Sequence, residues 1–299
     1  MIVIGSRGSQ LALWQANHIA GELHKLGVET RLEIIKTTGD KIQDVPLSKV
    51  GGKGLFTKEI EEALLRGDID LAVHSMKDMP AAVPDGLTIA AIPEREEVRD
   101  AICGSTLAKL KRGARIGTSS LRRAAQLHAM QKGYVIEPLR GNVDTRLRKL
   151  EEGQYDAIIL AAAGLRRLGW KDRIRQLIPI SVMCPAVGQG ALSIETRVDG
   201  GLAHQMAGKL DHRETRLAVT AERALLARLE GGCQVPIGAH ATVSGNEIHL
   251  EAIVASPNGE QSIRAAHAGS DPHALGLQVA DTLLRGGAAE ILKSVYGAA

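Results

Sequence analysis

Aromatic side chains are scarce in this sequence. One phenylalanine, three tyrosines and two tryptophans occur among 299 residues, so aromatic residues make up only 2% of the chain. Proteins that bind single-stranded nucleic acid stack the bases on aromatic rings, and the composition therefore argues against a nucleic-acid partner. Because apolar residues still make up 44% of the chain, we expect cores built from alanine, valine, isoleucine and leucine.

Cysteines are also few, and no long apolar run is present. Cys103, Cys184 and Cys233 are widely and irregularly spaced, which fits no metal-binding pattern and leaves an odd thiol. We therefore expect no metal and a reducing compartment. The amino terminus enters strand-like sequence directly, without a basic segment and apolar core of the signal-peptide type. These features predict a cytoplasmic protein that has no membrane partner.

Positive charge is concentrated in the middle of the chain, although the formal net charge is only +3. Residues 111–175 contain 15 lysines and arginines against 6 acidic residues, whereas residues 213–299 contain 7 against 9. The middle of the chain is therefore the predicted anion-binding part.

Strand-like and amphipathic helical runs alternate over the first two thirds of the chain, which predicts largely parallel sheets with helices on both faces. A chain of this length is expected to form two or three domains. The final third has a helical run at Arg213–Arg228, two strand-like runs and a helix near His273–Leu284, and predicts a smaller α+β domain. The first eight strand candidates are Ile2–Gly5, Glu29–Lys36, Ile69–His74, Leu87–Ile92, Arg115–Thr118, Tyr134–Leu139, Asp156–Ala161 and Ala191–Glu195.

Polar residues follow many of these strands, at the carboxyl ends where open α/β sheets bind ligands. Arg122 and Arg123 begin a helix, where acidic residues are usual because the helix dipole is positive there. We interpret the pair as holding an anion, although both side chains could instead project into solvent. Arg140 and Arg146 repeat the arrangement one strand later, which favours anion binding, and guanidinium suits carboxylate or phosphate.

Asp78 stands beside Lys77 in this basic setting. A carboxylate there can stabilise a developing cation or transfer a proton, but an aspartate that shapes the turn before Pro80 is equally compatible. The adjacent His74 and Ser75 do not form a nucleophile–base pair, because neighbours on a strand point to opposite faces. His74 is therefore predicted to be a core histidine.

Two glycine-rich segments also stand out. Gly51-Gly52-Lys53-Gly54 lacks the spacing of a phosphate-binding loop, and is either a mobile lid that carries Lys49 and Lys53 or an ordinary loop. Cys233 follows Gly231-Gly232. A free cysteine is usually a small buried hydrophobe, but the glycines argue against burial. A position just past a helix carboxyl terminus does not favour a thiolate, so a stable covalent attachment point fits better than a turnover nucleophile.

Several long motifs occur in an order that resembles the porphobilinogen deaminase family (hydroxymethylbilane synthases) of tetrapyrrole biosynthesis, over essentially the whole chain. They include Ser6-Arg7-Gly8-Ser9-Gln10-Leu11, Lys49-Val50-Gly51-Gly52-Lys53-Gly54-Leu55-Phe56, Val73-His74-Ser75-Met76-Lys77-Asp78, Gly117-Thr118-Ser119-Ser120-Leu121-Arg122-Arg123, Leu139-Arg140-Gly141-Asn142-Val143-Asp144, Pro185-Ala186-Val187-Gly188-Gln189-Gly190 and Glu230-Gly231-Gly232-Cys233.

The resemblance implies three domains. Two are facing α/β domains like those of periplasmic binding proteins: residues 1–93 with 191–208, which carry Asp78 and a lid around residues 47–58, and the arginine-rich residues 97–186. The third, residues 213–299, is a smaller C-terminal α+β domain that carries the cysteine loop. The family implies a monomer.

The resemblance also implies a dipyrromethane cofactor bound covalently to Cys233 through a thioether, and the condensation of four molecules of porphobilinogen with loss of ammonia. Asp78 would be the catalytic residue, and no metal is implied. The implied cofactor-binding residues are Cys233, Lys77, Asp78, Ser75, Thr118, Ser119, Arg122, Arg123, Arg140 and Gly190. The implied substrate-binding residues are Arg7, Ser9, Gln15, Lys53, Phe56, Arg146, Arg167 and Gln189.

Two other classes compete with this interpretation. A non-catalytic two-domain anion-binding protein would use the same arginines, but the cysteine-bearing domain and Asp78 argue against it. A nucleic-acid-binding protein would use the basic middle of the chain, but its arginines belong to separate strand ends and aromatic residues are lacking.

Overall fold

Two five-stranded sheets and one three-stranded sheet organise the chain in a computed structural model that describes residues 1–41, 54–231 and 235–296. The first sheet has the strand order β2-β1-β3-β10-β4, the second β7-β6-β8-β5-β9, and the third β11-β12-β13. The strands are β1 Ile2–Ser6, β2 Thr30–Ile34, β3 Leu71–Ser75, β4 Leu87–Ala91, β5 Asp100–Cys103, β6 Arg115–Gly117, β7 Val135–Glu137, β8 Ala157–Ala161, β9 Gln176–Leu177, β10 Leu192–Arg197, β11 Ile237–Ser244, β12 Glu247–Ala255 and β13 Ser262–Gly269.

Amphipathic helices cover the sheets, and the helix predicted near His273–Leu284 is observed at Pro272–Leu283. The helical run predicted at Arg213–Arg228 is confirmed as a helix with those bounds. The α-helices are α1 Gln10–Lys25, α2 Thr38–Lys41, α3 Lys58–Arg66, α4 Leu121–Ala129, α5 Val143–Glu151, α6 Ala162–Arg167, α7 Leu202–Gly208, α8 Arg213–Arg228, α9 Pro272–Leu283 and α10 Ala289–Tyr296. Short 3₁₀ turns occur at Met76–Asp78 and Lys171–Arg173, and a π-helical segment at Leu284–Ala288 joins the last two helices.

The fold class and the largely parallel sheets are confirmed: in each α/β sheet four strands run in one direction and a single strand, β10 or β5, runs against them. Strand β10 runs antiparallel to β3 and β4, and β5 runs antiparallel to β8 and β9. Parallel neighbours are joined by crossover connections that fix their direction. Strands β5 and β10 each enter their sheet directly from a segment that crosses from the other sheet, so no crossover helix sets their direction.

The two crossing segments, residues 92–99 and 185–191, are joined to helix α8 by a buried ion pair. The guanidinium of Arg95 donates to both carboxylate oxygens of Glu222 at 2.7 and 3.0 Å, and to the carbonyl oxygen of Gln189 at 2.8 Å. Glu222 is fully buried and also accepts from the backbone nitrogens of Gly188 and Ala241, at 2.7 and 2.8 Å. One carboxylate thus connects both crossing segments with the third sheet.

The cores match the predicted composition. The third sheet and helices α8 and α9 enclose the largest buried cluster, which consists of alanine, valine, isoleucine and leucine side chains. Each α/β sheet has separate clusters on its two faces. The domain boundaries 1–93 with 191–208, 97–186 and 213–299 stay a prediction, with which this division into three sheets is compatible.

Candidate functional site between the two α/β sheets

The turn that carries Lys77 and Asp78 lies directly after strand β3. Ser75 ends that strand, and its hydroxyl accepts a hydrogen bond from the side-chain amide of Gln15 at 2.9 Å. Met76 is 1% exposed and packs into a small apolar cluster. The buried side chain of Met76 therefore anchors the turn in the protein interior. The side chains of Lys77 and Asp78 are half-buried.

Charged side chains from both α/β sheets lie close enough to this turn to change the pKa of Lys77 within it. Burial lowers the pKa of Lys77 below its ordinary value; Asp78 and Asp100 raise it, whereas Arg123 and Arg146 lower it further. Burial likewise lowers the pKa of Arg146 to about 10, with Arg123 and Arg140 acting in the same direction and Asp78 opposing them. Asp78 from the first sheet therefore lies within the electrostatic reach of the arginines of the second.

Arg122 and Arg123 are buried, at 4% and 6% exposure, and enclose a carboxylate of the protein itself. Arg122 Nη1 lies 2.7 Å from Asp100 Oδ2, and Arg123 donates to Asp100 Oδ1 through Nε and Nη2 at 3.0 and 2.7 Å. Burial alone would raise the pKa of Asp100, but the two guanidinium groups outweigh it and hold that pKa well below its ordinary value. The alternative in which both arginines project into solvent is therefore wrong, and Asp100 supplies an anion that the sequence interpretation did not include.

The side chain of Arg167 connects helix α6 to the crossing segment 185–191. Its Nη2 donates to the carbonyl oxygen of Gly190 at 2.6 Å, and its guanidinium carbon lies 6.0 Å from the centre of the Trp14 ring. Burial lowers the pKa of Arg167 to about 10, and Glu96 opposes that shift. Gly190 has φ +88°, and a Cβ there would lie 2.4 Å from the Glu96 carbonyl oxygen, so only glycine fits this crossing.

Four more predicted residues, Arg7, Ser9, Thr118 and Ser119, follow the carboxyl ends of strands β1 and β6. The Arg7 guanidinium stacks 4.1 Å from the centre of the Phe56 ring. Ser9 caps helix α1 by accepting from the backbone nitrogen of Ala12, and Thr118 is buried after β6. Ser119 is exposed, but its hydroxyl exchanges hydrogen bonds of 3.0 Å with the backbone of Leu139.

The structure also describes His74, Gln189 and the second arginine pair, Arg140 and Arg146, for which the sequence analysis made predictions. His74 is confirmed as a core histidine, 6% exposed and 3.1 Å from the buried Glu195. Gln189 was predicted to bind substrate, but it is fully buried and its amide donates to Val98 O and Asp100 Oδ1. We therefore assign it to the support of the arginine pair. The Arg140 carbonyl accepts from Lys149, and Arg146 Nε donates to the Gly141 carbonyl oxygen.

Lys53 and Cys233 lie outside the described residues, as does most of the predicted lid around residues 47–58. The structure describes the chain on both sides of the cysteine segment: helix α8 ends at Arg228, Gly231 follows it, and Val235 precedes strand β11. A Cβ at Gly231 would lie 2.5 Å from a Leu226 methyl group, so a larger residue there would have to displace the Leu226 side chain.

Sequence reasoning missed Asp100, Arg95 and Glu222. Asp100 begins β5, a four-residue strand that the sequence analysis did not identify because it follows a run of charged residues. Arg95 and Glu222 are 127 positions apart, and no sequence pattern links them. The only available signal was chemical: acidic residues within and near an arginine-rich region usually have a cationic partner when they are buried.

The donor set around the cleft suits a ligand that carries several carboxylates. Guanidinium and ammonium groups come from Arg7, Lys77, Arg140, Arg146 and Arg167, and the Asp78 carboxylate lies close enough to Lys77 and Arg146 to raise the pKa of both. Among the described residues, no group of three or more histidine, cysteine or acidic side chains could hold a metal ion. A search of the same residues finds no helix that could span a membrane.

Solved structures with similar architecture are distant in sequence. A periplasmic substrate-binding protein of an ABC transporter from Coxiella burnetii matches 70% of this chain and 92% of its own, at 15% identity and a TM-score of 0.42. A nutrient binding protein from Burkholderia cenocepacia bound to methionine matches 69% and 90%, at 14% identity and the same TM-score.

Relatives in sequence are much closer. Residues 2–204 match the family model "Porphobilinogen deaminase, dipyromethane cofactor binding domain", and residues 216–285 match the C-terminal domain of the same family. The porphobilinogen deaminase of Geobacter sulfurreducens is 52% identical, over 98% of this chain and 94% of its own length. That of Syntrophobacter fumaroxidans is 51% identical, over 100% and 99%. The chain belongs to the porphobilinogen deaminase family.

Proposed function

We propose that this protein is a hydroxymethylbilane synthase, which condenses four molecules of porphobilinogen head to tail with loss of ammonia and releases the linear tetrapyrrole. The observation that carries the proposal is the position of the Asp78 carboxylate, which lies within electrostatic reach of Lys77 and of Arg146 from the second α/β sheet. Identity of about half over the full length of porphobilinogen deaminases supports it. We further propose that it acts as a cytoplasmic monomer.

The cleft residues suit the implied dipyrromethane cofactor and the substrate, because every pyrrole unit carries an acetate and a propionate side chain. Arginine forms paired hydrogen bonds with carboxylates, and it stays charged even when its pKa falls to about 10, as for Arg146 and Arg167. We propose that Arg140, with Arg122, Arg123, Lys77, Ser75, Thr118, Ser119 and Gly190, holds the cofactor. Bound through Cys233, the cofactor would supply the primer on which the chain grows. We propose that Arg7, Ser9, Gln15, Lys53, Phe56, Arg146 and Arg167 bind porphobilinogen.

Asp78 is the proposed catalytic residue. Breaking the carbon–nitrogen bond of the porphobilinogen aminomethyl group releases ammonia and leaves positive charge spread over the pyrrole ring. A carboxylate that accepts a hydrogen bond from the ring N–H stabilises this charge. The same carboxylate can take up the proton that leaves the ring carbon at which the new carbon–carbon bond has formed.

Intact mass of the freshly purified protein is the experiment that tests this proposal, together with ammonia release from porphobilinogen. We expect a mass above that of the polypeptide by one covalent dipyrromethane, and porphobilinogen consumption with formation of hydroxymethylbilane. A polypeptide of unmodified mass that binds carboxylates without consuming porphobilinogen would instead support the two-domain anion-binding protein.

Alkylation of the cysteines should locate the attachment. Burial raises the pKa of the Cys103 and Cys184 thiols to about 12, so both should resist iodoacetamide in the native protein near neutral pH. After denaturation we expect both to be labelled, while Cys233 stays unlabelled because its sulfur is already a thioether. Peptide mapping checks this result, and a free Cys233 thiol in the denatured protein would exclude the covalent attachment.

A further inference from the structure

Helix α8 contacts the turn that carries Asp78 through the side chain of Arg223. Its Nη2 donates to the carbonyl oxygens of Pro80 and Ala81, both at 2.9 Å, and its Nη1 lies 3.8 Å from the sulfur of Met76. Met76 precedes Asp78 and Pro80 follows it. One guanidinium therefore holds the chain on both sides of the proposed catalytic carboxylate.

Apolar packing on the same face of α8 supports this contact. Val219, one helical turn before Arg223, is fully buried in the cluster that contains Met76 and Met79. Gly188 packs against the same turn, since a Cβ there would lie 2.5 Å from Met76 Cγ and 3.3 Å from the backbone nitrogen of Lys77. The backbone nitrogen of Gly188 in turn donates to Glu222, the neighbour of Arg223.

Helix α8 ends at Arg228, which is five positions before Cys233 in the sequence. Cys233 is the proposed attachment point of the cofactor. The helix that binds the Asp78 turn is thus continuous with the segment that carries the cysteine.

We propose that Arg223 is a positioning residue for Asp78. This inference rests on the proposed function, in which Asp78 stabilises positive charge on the pyrrole. A single guanidinium nitrogen, Nη2, donates to two successive carbonyl oxygens at once. Without it those carbonyls lose their donor, and the turn can shift relative to the arginines of the second sheet. Displacing a reacting group by about 1 Å can lower a rate by about 10²-fold.

Arg223→Met removes the donors but keeps an apolar stem. We expect kcat to fall roughly 10- to 100-fold, as for outer residues that orient a reacting group. KM for porphobilinogen should change little, because the proposed carboxylate-binding arginines are untouched. Intact mass should still show the covalent cofactor, so that loss of rate is separated from loss of loading.

Arg216→Met is the matched control. Arg216 lies two helical turns earlier on the same face of α8 and is equally half-buried, and its Nη2 donates to the carbonyl oxygens of Ala90 and Ile89 at 3.0 and 3.4 Å. It binds strand β4 and Asp211 rather than the catalytic turn. We expect a comparable loss of thermal stability but a kcat near that of the wild type. Equal loss of kcat in the two variants would overturn the positioning role.

Arg223→Lys and Arg216→Lys keep the positive charge. If a methionine variant fails to fold, kcat is compared between these two lysine variants instead. We expect kcat to decrease in the order wild type, Arg223→Lys, Arg223→Met, with Arg216→Lys equal to the wild type. Identical kcat for the two lysine variants would exclude the proposal. A wild-type protein that does not consume porphobilinogen would instead overturn the proposed function.

Discussion

Replacing Asp78 by asparagine is expected to lower kcat by about 10²- to 10⁴-fold, the usual range for loss of a positioned acid–base group. Asparagine keeps the size and the carbonyl oxygen but loses the negative charge. It can neither stabilise positive charge on a pyrrole to the same extent nor accept a proton. Initial rates of porphobilinogen consumption measure the effect, and intact mass should still show the covalent cofactor.

Asp85→Asn provides the control for this prediction. Asp85 lies in the same connection between β3 and β4 but is exposed to solvent. The same chemical change there should leave kcat within experimental error of the wild type and the unfolding temperature unchanged. If Asp78→Asn has a kcat close to that of Asp85→Asn, Asp78 is only a residue that shapes the turn before Pro80.

Local patterns in the sequence were sufficient to predict the two longest helices of the final third of the chain, whereas the placement of the site at strand ends stays a prediction. Helix Arg213–Arg228 has apolar residues at helical spacing and was predicted with its observed bounds. Strand β13, Ser262–Gly269, was missed because its alternating partly buried positions include alanines and an arginine rather than large apolar residues. An edge strand of this composition has no strong periodic signal despite its eight residues.

The pairing of buried charges could not be predicted, because it depends on contacts distant in sequence. Arg122 and Arg123 were predicted to hold a bound anion by their position at a helix start, and the carboxylate that they contact is that of Asp100. Asp100, 22 positions earlier, becomes their partner only because β5 lies next to β8 in the sheet. Arg223 gave no signal at all, since an arginine on an amphipathic helix usually faces solvent.

Asp100→Asn is expected to destabilise the protein by about 3–5 kcal/mol at neutral pH, the usual cost of removing one partner of a buried ion pair. Asparagine has nearly the same shape, so the change isolates the charge. Two buried guanidinium groups would then share one neutral acceptor. Urea unfolding at pH 7 measures the loss, with Asp172→Asn as control because the Asp172–Arg173 pair is 3.9 Å apart and largely exposed. That control should cost well under about 1 kcal/mol.

The pH dependence provides a second test of the Asp100 charge. Its pKa is held below the ordinary value in the folded protein, whereas in the unfolded chain it should lie near about 3.9. The stabilisation is therefore complete above about pH 5 and is lost as pH falls through the unfolded and then the folded pKa. We expect the difference in unfolding free energy between wild type and Asp100→Asn to be constant from about pH 5 to 8 and to shrink below about pH 4. A difference that persists undiminished in acid would show that Asp100 stabilises the fold through shape and hydrogen bonding rather than through its charge between the two arginines.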